Sequence, residues 1–208
     1  MLIVVRRALA VDPTDWTGPD LARPLSPLGE RQAEGLVLRL DDYPVERILA
    51  GPALRCRQTV APLARQRLVP VEPFAALGLE AATSDLLDLV WDAEIHDAVL
   101  CTHGPRIGEV LGGLVADGVL QTDSPQWPLG STWLVQRLGR RRVVGRYLPP
   151  LVYDPALWPA ESHDPGGRVW ARTGTQHPPD RAGTETPVSR APASGSGARP
   201  ALSGARGG

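Results

Sequence analysis

Residues 97–104, Asp97-Ala98-Val99-Leu100-Cys101-Thr102-His103-Gly104, and the helical segment from Pro105 to Ala116 that follows them decide the fold. The segment from 97 to 101, whose residues 98 to 101 form a short continuous apolar run, has the pattern of a strand buried on both faces. A polar Thr-His-Gly step then leads directly into the helix. A buried strand that feeds a helix returns to its sheet by a crossover, which makes neighbouring strands parallel.

The same alternation extends outward through the first 150 residues. Leu2 to Val5, Arg47 to Ala50 and Val69 to Val71 read as strands. Ser26 followed by Pro27 starts a helix, because the serine hydroxyl caps free backbone N–H groups and proline is tolerated at the first helical position. Leu28, Ala33, Leu36, Val37 and Leu40 then form its apolar stripe. Pro52 to Gln66 and Ser84 to Trp91 read as further helices, and Thr132 to Arg137 with Arg142 to Tyr147 as a closing hairpin around Gly139. The expected fold is α/β: a three-layer sandwich, mostly parallel sheet with helices on both faces.

Composition bounds the rest. All 22 basic residues are arginine, there is no lysine or asparagine, and 23 acids bring the formal charge to −1. A nucleic-acid binder would carry a basic surplus, so none is expected. Membrane insertion is not expected either, because no apolar stretch approaches the ~18 residues needed to span. Two cysteines, Cys56 and Cys101, make no disulfide framework, and the start of the chain lacks a leader pattern, which reads as a reduced, cytoplasmic protein. The first 150 residues carry 14 Pro and 13 Gly, and the last 58 carry 8 and 9 with few large apolar side chains. Residues 1–150 therefore read as the folded domain and 151–208 as a Pro/Gly-rich C-terminal extension, mostly disordered.

In a sheet of this kind a ligand binds where loops leave the C-terminal strand ends. Arg6-Arg7 follows the first strand, Gly51-Pro52-Ala53-Leu54-Arg55 the second, and Thr102-His103-Gly104 the long buried one. Convergence of Arg6, Arg55 and His103 would make an anion pocket suited to a phosphoryl group. Arginine offers paired donors matched to phosphate oxygens, and helix N-termini after Pro52 and Pro105 add positive dipole ends. The alternative is that each arginine pairs with one of the 18 acids in the same 150 residues. No metal site is expected, because Cys101 and His103 have no second ligand pair at zinc-like spacing. No cofactor is called for. Trp16, Trp127 and Trp133 could border the pocket, with packing as their default role. His96 precedes its strand, at the end away from the site.

Four motifs in order resemble the histidine phosphatase superfamily, the phosphoglycerate mutase-like proteins, and most closely its short SixA-type phosphohistidine phosphatases. They are Leu2-Ile3-Val4-Val5-Arg6-Arg7-Ala8, Arg23-Pro24-Leu25-Ser26 with Gly29 and Gln32-Ala33, Gly51-Pro52-Ala53-Leu54-Arg55 with Gln58-Thr59, and Cys101-Thr102-His103-Gly104. The resemblance implies that Arg6 and Arg55 clamp phosphoryl oxygens, that His103 is the second histidine of the site, and that Glu80 is the proton donor. It also implies that Arg23 borders the pocket. The ligand would be a phosphorylated small molecule or a phosphohistidine protein.

One position departs from that pattern. The family's nucleophilic histidine falls on position 7, where this chain has Arg7. A guanidinium stays protonated at physiological pH and has no lone pair to offer phosphorus, so the covalent route is closed. The resemblance therefore implies a phosphoryl-binding protein whose hydrolysis is in doubt, or a pseudophosphatase that binds without turning over.

Overall fold

In the computed structural model, which describes residues 1–116, 118–120, 126–138 and 142–157, six strands form one sheet. The strands are β1 (Leu2–Arg6), β2 (Arg47–Ala50), β3 (Val71–Pro73), β4 (Ala98–Thr102), β5 (Thr132–Arg137) and β6 (Val143–Leu148). The helices are α1 (Pro27–Arg39), α2 (Leu54–Arg67), α3 (Thr83–Trp91) and α4 (Gly104–Ala116). Strand order is β3-β2-β4-β1-β5-β6. The first four are mutually parallel, and β5 and β6 run antiparallel at the far edge. The C-terminal extension from residue 158 onward, with His163 and His177, and the hairpin tip around Gly139 lie outside the described residues.

Strand alternation builds two cores. Leu2 and Val4 of β1, Leu49 of β2, Ala98 and Leu100 of β4, and Trp133 and Val135 of β5 pack with the apolar faces of α3 and α4. Their neighbours Ile3, Val5, Ile48, Ala50, Val99, Cys101 and Leu134 point the other way, against Leu36, Val37 and Leu40 at α1 and Cys56, Val60 and Leu63 on α2. All five residues of β4 are buried, as expected for a central strand covered on both faces.

Two details differ from the sequence reading. Leu28 stands 38% exposed at the first turn of α1 instead of joining its stripe, whose buried positions are Ala33, Leu36 and Val37 with Leu40 just beyond. The edge strand begins at Val71, because Leu68 adopts a left-handed conformation (φ 57°) that closes α2, and the Val69 N–H turns back to the Ala64 carbonyl at 3.2 Å. Trp133 belongs to the core, the packing role that was its default, with its indole N–H satisfied by the Gln126 carbonyl at 2.8 Å.

Close approach explains Gly29. A Cβ there would lie 1.8 Å from the Leu9 carbonyl oxygen, so α1 can pack against the chain leaving β1 only with glycine at this point. Ser26 Oγ caps the helix by accepting from the Gly29 N–H at 3.2 Å.

Candidate functional site

The chain leaving β1 is pinned from both sides. Arg6 N–H donates to the Ser131 carbonyl at 2.9 Å and Arg7 N–H to the Thr102 carbonyl at 2.8 Å. Beyond them, Ala8 N–H donates to Thr59 Oγ1 at 2.9 Å and Leu9 N–H to Gln32 Oε1 at 2.9 Å. Gln58 Oε1 accepts from the Leu25 N–H at 2.8 Å. The motif residues Gln32, Gln58 and Thr59 thus satisfy backbone groups of the segments that carry Arg6, Arg7 and Arg23, a positioning role that their residue types alone do not announce.

The Arg6 guanidinium donates to the Trp127 carbonyl and lies across Gly104. A Cβ at Gly104 would fall 2.7 Å from Arg6 Nε, so the start of α4 carries the one residue that leaves room for the arginine. Arg55, in the first turn of α2, is 2% exposed. Its Nη2 meets Asp20 Oδ2 at 2.8 Å and its Nη1 donates to the Asp20 carbonyl at 2.6 Å. Arg23 reaches the same carboxylate: Nε donates to Asp20 Oδ1 at 2.9 Å, and Nη2 lies 2.8 Å from it.

Arg7 is half-buried, with Nη1 donating to the Ala8 carbonyl at 3.0 Å. Burial holds its pKa below the ordinary arginine value, and the positive charges of Arg55, Arg23 and Arg6 push in the same direction. Four guanidinium groups therefore share one end of the sheet. Burial also lowers Arg6. Such crowding of like charge is sustained only around an anion, and Asp20 is the carboxylate in ion-pair contact with this group among the described residues.

His103 follows β4 directly, is 4% exposed, and places Nε2 3.5 Å from Cys56 Sγ. Hydrogen bonding to Cys101 and then to His103 outweighs burial and brings the Cys56 thiol down to about 5, with the charges of His103 and Arg55 helping. Its neighbour Cys101 is pushed well above the ordinary thiol value, first by burial and then by Cys56. The two neighbouring thiols are thus shifted in opposite directions, Cys56 down and Cys101 up.

Glu80 is exposed in the loop between β3 and α3. That loop is held at both ends: Thr102 Oγ1 donates to the Leu77 carbonyl at 2.7 Å, and Arg106 Nη2 to the Ala82 carbonyl at 2.6 Å. A Cβ at Gly51 would meet the Leu77 carbonyl oxygen at 2.5 Å, so the Gly-Pro step after β2 is also shaped to this loop. His96 faces Glu46 and Asp97 at the opposite strand ends, as expected. Sequence reasoning missed the roles of Asp20, Cys56 and Arg106. Asp20 had a signal in its spacing of three from Arg23, which places a carboxylate and a guanidinium on one side of a tight turn.

A family model for the histidine phosphatase superfamily (branch 1) matches residues 14–78, the stretch that carries Asp20, Arg23 and Arg55. Over that stretch the chain is similar to this superfamily. Its fold is SixA-like: a SixA structure from Agrobacterium tumefaciens superposes with a TM-score of 0.58 at 24% identity, covering 72% of this chain and 97% of that one. SixA from Nakamurella multipartitia gives 0.56 at 18% identity, covering 73% and 96%. A protein histidine phosphatase SixA complexed with tungstate gives 0.54 at 15%, covering 73% and 96%. By sequence, the chain is similar to an 8-oxo-(d)GTP phosphatase of Mycolicibacterium smegmatis, 29% identical over 156 residues. That match covers 72% of this chain, and the chain spans about half the length of the relative (48%). No helix among the described residues is long and apolar enough to cross a membrane.

Proposed function

We propose that this chain is a histidine phosphatase family member, that it binds a phosphoryl group, as a phosphate monoester or phosphohistidine, in the pocket of Arg6, Arg7, Arg23, Arg55 and His103, and that covalent hydrolysis through position 7 is closed to it. The observation that carries the reading is Arg7. It lies among the other guanidinium groups, where the family places its nucleophile, and it adds a charge that attracts a phosphoryl group without supplying a lone pair to attack it. Arg6 and Arg55 are the oxygen clamps in this reading, His103 a further donor, and Glu80 the acid at the rim. A phosphorylated small molecule or a phosphohistidine protein is the ligand class. The relative that acts on 8-oxo-(d)GTP makes a purine nucleotide a sensible member of the first class to try.

Two measurements decide it. Calorimetry with inorganic phosphate, p-nitrophenyl phosphate and GTP is expected to show binding. Phosphate release from p-nitrophenyl phosphate is expected to stay at background for the wild type and to rise roughly 10²-fold or more on Arg7→His. Absence of binding to all three anions would refute the pocket, and wild-type turnover at ordinary enzymatic rates of about 1 s⁻¹ or more would refute the closed route.

A further inference from the structure

We infer that Asp20 is a specificity-determining residue: its carboxylate is a tethered anion held in the Arg23–Arg55 clamp, and it restricts that clamp to ligands carrying more negative charge than a carboxylate, phosphoryl dianions above all. The inference rests on the phosphoryl-binding reading and adds what sets the charge of the accepted ligand.

The geometry is that of an occupied anion site. Both oxygens of Asp20 are engaged, Oδ1 by Nε and Nη2 of Arg23 and Oδ2 by Nη2 of Arg55, while Arg55 Nη1 takes the Asp20 carbonyl. Each terminal nitrogen of an almost wholly buried arginine is thus committed to this one residue. The carboxylate itself is 59% exposed, so it enters the clamp from the solvent side, the direction from which a ligand would come. Arg23 and then Arg55 hold its carboxyl below the usual carboxylate range, as expected of an anion between two cations.

Asp20 stands in the exposed segment 12–22, between Pro19 and Leu21. The side-chain hydrogen bonds of Asp12 and Trp16 stay within that segment, to Thr14 and to the Pro19 carbonyl. The Asp20 carboxylate can therefore be drawn out into water without breaking a buried contact of its neighbours. A free monocarboxylate has no advantage over one already attached at high local concentration. A phosphoryl dianion has twice the charge and three acceptor oxygens to spread over the same donors, and it also meets Arg6 and Arg7.

The test is calorimetry at pH 8 on the full chain, with inorganic phosphate and acetate as probes, for the wild type, Asp20→Asn, Asp20→Ala and Asp20→Glu, each checked for a cooperative melt. The wild type is expected to bind phosphate and not acetate. Asp20→Asn, nearly isosteric, is expected to bind phosphate about tenfold or more tighter, Asp20→Ala to accept acetate as well, and Asp20→Glu to stay within about threefold of the wild type. Phosphate affinity that is unchanged or weaker in folded Asp20→Asn and Asp20→Ala would overturn the inference and leave Asp20 as a group that only orients the arginines. Phosphate binding by none of the four proteins would overturn the phosphoryl-binding reading, and this inference with it.

Discussion

Two glycines in this chain stand at close approaches with opposite consequences. At Gly104 the obstacle to a Cβ is the Arg6 guanidinium, the far end of a flexible side chain, with Nε 2.7 Å away. Gly104→Ala is therefore expected to move Arg6 and leave the fold intact, costing under about 1 kcal/mol in denaturant unfolding, while weakening phosphate binding severalfold in calorimetry. A variant that lost stability and kept its affinity would show that Arg6 is not part of the anion pocket. At Gly29 the obstacle is backbone, the Leu9 carbonyl oxygen at 1.8 Å, which cannot rotate aside. Gly29→Ala must push α1 off the strand-exit segment, and a loss of about 2–3 kcal/mol or more is expected in the same unfolding experiment. Arg6 was legible as a candidate site residue from its place after an apolar run. The two glycines were legible only as motif letters, because what a missing Cβ makes room for lies 20 or nearly 100 positions away in the chain.

Among the elements, those defined by a local signal came out as read. Ser26-Pro27 starts α1, and β2 spans Arg47–Ala50 as expected. The displaced element was β3, since residues 69–71 carry a β-branched pattern while tertiary closure of α2 claims the first of them. The cause is Leu68, a leucine in a left-handed backbone conformation with its side chain 87% exposed. Leucine has a steric penalty there that glycine does not, and little burial is lost by removing it. Leu68→Gly is expected to stabilise the protein by about 1 kcal/mol, read as a rise in melting temperature, and a fall would mean that this leucine packs on a surface of its own. The site divides in the same way. Arg6, Arg55 and His103 follow strands and were legible as candidates, whereas Asp20 opens the single 3-10 turn Asp20–Ala22, whose partners Arg23 and Arg55 come together only when α2 docks beside it.

At the scale of the whole molecule, the sheet brings one cysteine from α2 and one from β4 together beside His103, and this sets a pH dependence of stability. Cys56 ionises in the folded protein at about 5, held down by Cys101 and His103, whereas a thiol in the unfolded chain ionises near 8.5. Between those values the unfolded state binds a proton that the folded state does not, so stability rises with pH across the window. The contribution is complete above the unfolded value and is lost as pH falls toward 5. One full proton corresponds to about 1.4 kcal/mol per pH unit. Cys101 acts in the opposite sense above the ordinary thiol range, because its folded pKa is raised. Denaturant midpoints of the wild type are therefore expected to climb from pH 5.5 to about pH 8 and to level off above it, with thiolate ultraviolet absorbance in the folded state already present at pH 7. Cys56→Ser is expected to flatten the climb and to abolish the absorbance. A wild-type protein with no thiolate absorbance at pH 7 and a flat profile would show that both thiols stay protonated. In that case Asp20 would be the anion balancing the Arg23 and Arg55 guanidinium groups among the described residues.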